Sequence, residues 1–128
     1  MIVIKNQLIP LPGYKAMTLW PFIFVRAKYM TERDMRHEEI HGAQQLELLV
    51  VGAALAVVMA IMGCGWWSLL ALPLYAYVYF ALWVWAGFKY DDAYKNNPME
   101  REAYFFEGDD WYLEHRRPFA WTEFFSNV

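Results

Sequence analysis

The chain has 128 residues, enough for a single domain over 1–128, and 59% of them are hydrophobic. A formal net charge of −3 without a basic stripe argues against nucleic acid as a partner. The single cysteine, Cys64, excludes an internal disulfide and a cysteine-rich zinc ribbon, and no cleavable signal peptide is expected at the start.

The N-terminal part consists of short apolar runs separated by proline and glycine. The runs are Ile2 to Ile4, Gln7 to Ile9 and Phe22 to Val25. The separators are Pro10, Pro12-Gly13 and Pro21. This punctuation predicts extended segments and turns, with a small hairpin as one possible arrangement.

A helix is predicted to begin at about Glu32. Thr31 is a good N-cap residue, and Asp34 stands where it can complete a capping box. No stop signal follows before the apolar stretch that begins at Leu46, so the helix is expected to continue into that stretch.

This helix carries His37-Glu38-Glu39-Ile40-His41, which spells H-E-x-x-H. Positions i and i+4 lie on the same helix face, so His37 and His41 can bind one cation. Imidazole is a good Zn²⁺ ligand, and Glu38 beside the pair can take a proton from a metal-bound water. The alternative is a polar first turn that carries two histidines by chance.

Two long apolar runs follow the motif. Residues 46–62 are apolar except for Glu47, and after Gly63-Cys64-Gly65 an uncharged run covers 66–88. Helices of this length cross a hydrocarbon core of about 30 Å. The pattern predicts a transmembrane hairpin with spans of about 42–62 and 66–88, the second kinked by Pro73. A buried soluble hairpin is the alternative, but a chain of 15.2 kDa could hardly cover both helices.

Two further patterns predict how the helices of such a hairpin would pack and how the hairpin would be oriented in the membrane. Small residues at Gly52, Ala56 and Ala60 predict a close approach between the two spans. Every Lys and Arg lies before Leu46 or after Phe88, so both termini and the motif are expected in the cytoplasm. The expected location is therefore a membrane such as the bacterial inner membrane.

A catalytic zinc site needs a third protein ligand and an open position for water. Asn97 followed by proline predicts an N-capped helix over about 98–107, on the same side of the membrane as the motif. Glu100 and Glu102 both lie in its first turns, and spacing alone does not choose between them. His115 is a more remote candidate, and Glu100 could instead complete a capping box.

The motif, a membrane hairpin and then Glu100-Arg101-Glu102-Ala103-Tyr104 together resemble the H-E-x-x-H and E-x-x-A-D pattern of gluzincin metallopeptidases. The most similar branches are integral-membrane ones, such as the prenyl-protein peptidases and the bacterial membrane heat-shock proteases. The resemblance covers about ten residues and the helix order. It implies that His37, His41 and Glu100 bind zinc and that Glu38 is the general base, and it leaves Glu102 without a role.

The chain departs from that pattern at Tyr104, where the family has an aspartate. In the family this aspartate supports a ligand histidine at the ring nitrogen that does not bind the metal. Asp109, Asp110 or the Tyr104 hydroxyl could take its place.

The chain is therefore predicted to be an all-α membrane protein with a short extended N-terminal segment, hydrolysing peptide bonds with zinc at the cytoplasmic face. Membrane proteins or lipidated peptides are the expected substrates. Two alternatives are a non-catalytic metal-binding protein and a structural or regulatory hairpin that assembles with itself or a larger membrane partner. Residues 109–128 are either an amphipathic lid over the site or a packed tail.

Overall fold

The computed structural model describes residues 1–8 and 14–125, which form a small sheet followed by helices. The strands are β1 (Ile2–Lys5), β2 (Ala16–Leu19) and β3 (Phe22–Val25). The α-helices are α1 (Glu32–Ile61), α2 (Leu74–Lys89), α3 (Ala93–Asn96), α4 (Pro98–Phe106) and α5 (Tyr112–His115). Two 3₁₀ helices cover Gly65–Ala71 and Ala120–Phe124. The described residues are thus mostly helical. They also form a three-stranded sheet, so the fold is not purely α-helical.

The sheet has the order β1-β3-β2, with β1 parallel and β2 antiparallel to β3. A hairpin is present, as the sequence suggests, but its first strand is Ala16–Leu19, which the apolar runs do not mark. Gln7 and Leu8 form a bend instead of a strand, and Ile9 lies outside the described residues together with the predicted turns at Pro10 and Pro12-Gly13.

The sheet is attached to α1 beside the H-E-x-x-H motif. The Gln45 amide donates to the Thr18 carbonyl at 2.7 Å and accepts from the Trp20 backbone N–H at 2.6 Å. Because Thr18 belongs to β2, these two bonds place the edge of the sheet next to the fourth turn of α1.

Helix α1 begins as the sequence predicts. Thr31 accepts from the Asp34 backbone, and the Asp34 carboxylate accepts from the Thr31 backbone, which completes the capping box. The helix then continues for 30 residues without a break. By length and composition it could cross a membrane.

The second apolar run does not form the continuous span predicted over 66–88. Its first part is the 3₁₀ helix Gly65–Ala71, and α2 starts after Pro73 with a bend of 52° between the two. Proline lacks an N–H and clashes with the carbonyl four residues earlier, so a break here is expected. The predicted kink is present, but a hairpin of two full-length spans is not supported.

The predicted close approach occurs at Gly52, although its partner is the 3₁₀ segment. A Cβ atom at Gly52 would collide with the backbone carbonyl of Ala71. Ala60, at the end of the same stripe, is exposed. The stripe therefore explains one contact and not the packing of two long helices.

Two apolar clusters hold α4 beside α1. The first contains Leu48, Leu82, Met99 and Trp121, and the second contains Ile40, Ala103 and Tyr112. The described part of the C-terminal segment belongs to this packing, because Trp121 is buried and Arg101 donates to the Phe124 carbonyl at 3.1 Å. This segment therefore covers α4 as a packed tail.

Candidate metal centre

Three potential metal ligands meet where α1 faces the first turn of α4. His37 and His41 come from α1 and Glu100 from α4, and all three are buried. The two Nε2 atoms are 3.2 Å apart. The Glu100 Oε2 atom lies 3.3 Å from His37 Nε2 and 3.2 Å from His41 Nε2. The structure thus brings together the three residues that the sequence singles out for a metal.

The three ligand atoms form a triangle with the dimensions that a tetrahedrally coordinated ion requires. Bonds of about 2.0–2.1 Å at tetrahedral angles separate two ligand atoms by about 3.3 Å. The three measured separations match that value without any movement of the chain. The group formed by His37, His41 and Glu100 could therefore hold a metal ion.

The two oxygens of Glu100 have different partners. Oε1 accepts from the Tyr79 hydroxyl at 2.9 Å, which leaves Oε2 turned toward the histidines. Burial raises the pKa of this carboxyl, but the charge and hydrogen bonds of His41 and His37 outweigh burial and hold the pKa below its usual range. Glu100 therefore stands ready as a charged ligand.

The structure also separates Glu100 from the other candidates. Glu102 is fully buried and bound at both oxygens by the Arg116 guanidinium, at 3.0 and 2.9 Å. The cap of α4 is formed by Asn97, which accepts from the Met99 backbone at 2.9 Å. His115 is exposed on α5 and does not belong to the group.

A residue that the sequence reasoning missed supports His37. The Glu107 carboxylate accepts from His37 Nδ1 at 2.8 Å, which leaves Nε2 available to a metal. Glu107 follows Glu100 by seven residues, so the two lie within about 20° of each other around a helix, and that spacing was a usable signal.

The three substitutes considered for the family's aspartate have other contacts. Asp110 pairs with Arg36 at 2.7 Å, and Asp109 accepts from the Trp111 backbone at 3.0 Å. Tyr104 packs its ring against the His37 ring, with centroids 4.5 Å apart. Its contribution to His37 is therefore an aromatic contact.

Glu38 lines a cleft together with two of the three potential ligands, His41 and Glu100. The cleft has a volume of about 480 Å³. Its walls are residues 16–19 of β2, Glu38, His41 and Gln45 of α1, Tyr75, Ala76 and Tyr79 of α2, and Tyr14, Tyr94 and Glu100. The Thr18 hydroxyl donates to the Glu38 carboxylate at 2.7 Å, so an edge strand holds the residue predicted as the base. No described residue beyond Glu100 lines this cleft, which agrees with a packed tail and not with a lid.

Replacing a ligand should remove the metal. We expect about one zinc per parent chain, and none bound stoichiometrically by His37→Ala or His41→Ala. Glu100→Gln should weaken zinc binding by more than about 100-fold, beyond the usual effect of an outer partner. Equilibrium dialysis with metal analysis measures both quantities.

The matched control for that series is His115→Ala, which removes the exposed third histidine and should leave zinc binding unchanged. Glu102→Gln should weaken binding less than Glu100→Gln. If Glu102→Gln has the larger effect, the assignment of Glu100 is wrong.

Glu107 should tune metal affinity without binding the ion. Removing an outer carboxylate typically costs about 10–100-fold in affinity, so Glu107→Ala should fall in that range. Glu107→Gln keeps an acceptor for His37 Nδ1 and should lose less. Asp110→Asn is the control, because Asp110 contacts Arg36 and not a histidine. Equal losses in Asp110→Asn and Glu107→Ala would exclude this role.

Comparison with protein families, with curated proteins and with solved structures finds no match to this chain. The resemblance to gluzincins therefore remains a prediction that rests on residues 37–41 and 100–103. The geometry of His37, His41 and Glu100 stands independently of it.

Proposed function

We propose that this protein is a zinc-dependent peptidase that acts at the cytoplasmic surface of a membrane. The observation that carries the proposal is the triangle of His37, His41 and Glu100, with Glu38 lining the same cleft. Zinc fits this donor set best, because two imidazoles, one carboxylate and an open fourth position are typical of catalytic zinc sites.

Each residue has a distinct part in the proposed reaction. A bound zinc supplies Lewis acidity, which polarises a carbonyl group and lowers the pKa of water to about 7. Glu38 takes the proton of the attacking water and returns it to the leaving amine. His37, His41 and Glu100 remain as ligands, and Thr18 orients the Glu38 carboxylate through its hydroxyl.

The wall formed by β2, beside Glu38, supports a peptide as the substrate. Among the described residues β2 pairs with one neighbouring strand, β3; its other edge lies along the cleft, where Gln45 already binds the Thr18 carbonyl. An extended peptide can pair with such an edge by main-chain hydrogen bonds. Tyr75, Ala76 and Met17 make the adjoining surface largely apolar, which suits an apolar side chain of the substrate.

The proposed membrane location is supported by α1. His41 precedes the apolar stretch at Leu46 by five residues, or about 8 Å along the helix. A bilayer that covers the apolar stretch leaves the cleft at its surface. Membrane proteins and lipidated peptides are therefore the substrate class we propose.

The proposed mechanism makes Glu38 essential for hydrolysis and dispensable for zinc. Glu38→Gln should keep one zinc and lose about 10²–10⁴-fold in rate, the usual contribution of a general base. Glu39→Gln is the control, because Glu39 does not line the cleft. A fluorogenic library of unlipidated and lipidated peptides, presented in detergent micelles, measures the rates of all three proteins.

Full activity in Glu38→Gln, or equal losses in both variants, contradicts the mechanism. A parent protein that binds zinc but cleaves no member of the library contradicts the peptidase. That outcome favours the alternative function, a non-catalytic metal-binding membrane protein.

The proposed orientation puts the loop after α1 on the outer side. Cys64 is the single cysteine, so a thiol reagent that does not cross membranes should label it in intact cells. Cys64→Ser controls for labelling elsewhere. Labelling that requires permeabilised cells would reverse the orientation and place the cleft on the outer face.

A further inference from the structure

A chain of hydrogen bonds connects His41 to the C-terminal segment. His41 Nδ1 is 3.0 Å from the Gln44 Oε1 atom. The Gln44 Nε2 group donates to the Met99 carbonyl at 2.9 Å and approaches Glu102 Oε2 at 3.4 Å. Arg116 binds Glu102 through two nitrogens and also contacts the Glu47 carboxylate. Neither the H-E-x-x-H motif nor the proposed reaction accounts for this chain of contacts.

The amide of Gln44 can point in only one direction. An amide has one accepting end and one donating end. The donating end faces two acceptors, the Met99 carbonyl and the Glu102 carboxylate. Reversing the amide would set its oxygen against both, and Gln44 is fully buried, so no solvent could compensate.

The direction of the amide decides which nitrogen of His41 is available. Because Gln44 presents Oε1 to Nδ1, that nitrogen must carry the hydrogen. Nε2 then keeps its lone pair, and Nε2 is the atom that faces His37 and Glu100. A fixed tautomer of this kind also fixes the ring orientation of a ligand histidine.

Glu102 and Arg116 make this arrangement rigid. Both side chains are buried, and the fork of Arg116 holds the two Glu102 oxygens in place. A guanidinium can only donate, so both Glu102 oxygens act as acceptors in this contact. An accepting oxygen therefore stays beside the Gln44 Nε2 group.

We propose that Gln44, with its amide fixed by Glu102 and Met99, is a positioning residue that keeps His41 Nε2 directed at the metal. The inference rests on the proposed metal site. It gives Glu102 and Arg116 a role in metal affinity without contact to the ion.

The test compares zinc affinities of purified full-length variants in detergent, using a chelator competition assay. Gln44→Met removes the acceptor at similar size and should bind zinc about 10–100-fold more weakly. Glu102→Met leaves the Met99 carbonyl as an acceptor for Gln44 Nε2. Its loss of zinc affinity should therefore be smaller than that of Gln44→Met.

Gln45→Met is the matched structural control. Gln45 accepts from the Trp20 N–H and donates to the Thr18 carbonyl of β2, and neither bond involves a ligand histidine. The Gln45→Met substitution should lower the midpoint temperature of thermal unfolding and leave the zinc affinity unchanged. Nitrogen-15 NMR of the zinc-loaded parent should show the hydrogen on His41 Nδ1, and Gln44→Met should weaken that proton's hydrogen bond.

Each outcome decides between the two proposals. Parent affinity in Gln44→Met overturns the positioning role while the metal site stands. A Gln45→Met variant that loses as much affinity as Gln44→Met shows a general packing effect and also overturns it. A parent protein that binds no zinc overturns the metal site and this inference together.

Discussion

The contact of Glu100 with His37 and His41 is the constraint on which the rest of the structure depends. It joins two helices whose contacting residues are 63 and 59 positions apart in the chain. A buried carboxylate is costly unless it is paired and hydrogen-bonded. Here the histidines and Tyr79 satisfy it, and either protons on the imidazoles or a metal ion can balance its charge. Whatever displaces α4 from α1 therefore exposes an unbalanced charge.

The packing around this contact serves to keep it in place. Ile40 and Ala103, both fully buried, lie in one apolar cluster between α1 and α4. Leu48 and Met99 lie in the other cluster, further along α1. The two clusters fix the spacing and rotation of the helices on either side of the ligands. The sheet adds the last wall, because Gln45 binds β2 and Thr18 reaches Glu38.

Features that depend on near neighbours in the chain could be predicted from the sequence. The capping box of Thr31 and Asp34, the Asn97 cap of α4 and the facing pair His37 and His41 each follow from a spacing of a few residues. The mostly helical fold follows from the same local signals. The choice of Glu100 over Glu102 came from a resemblance and not from spacing.

Features that depend on distant residues could not be predicted in this way. Strand β2 has no clear alternation and exists because β3 and Gln45 pair with it. Pro73 predicts the break before α2, but it does not predict that residues 65–71 form a 3₁₀ segment packed against Gly52. The role of Gln44 became visible only when α4 was placed against α1, whereas the spacing of Glu107 from Glu100 offered a signal in the sequence.

The burial of Glu47 also sets an order of events during synthesis. Its carboxylate lies within the apolar stretch of α1, and its partners are Arg116 and the backbone N–H of Phe119, 69 and 72 residues later. At about 5–20 residues per second, a ribosome needs several seconds to add that length of chain. During this interval Glu47 has neither partner, so α1 cannot reach its final environment before residues 116–119 are made. The environment of α1 is therefore completed by a segment that is made 69 to 72 residues later.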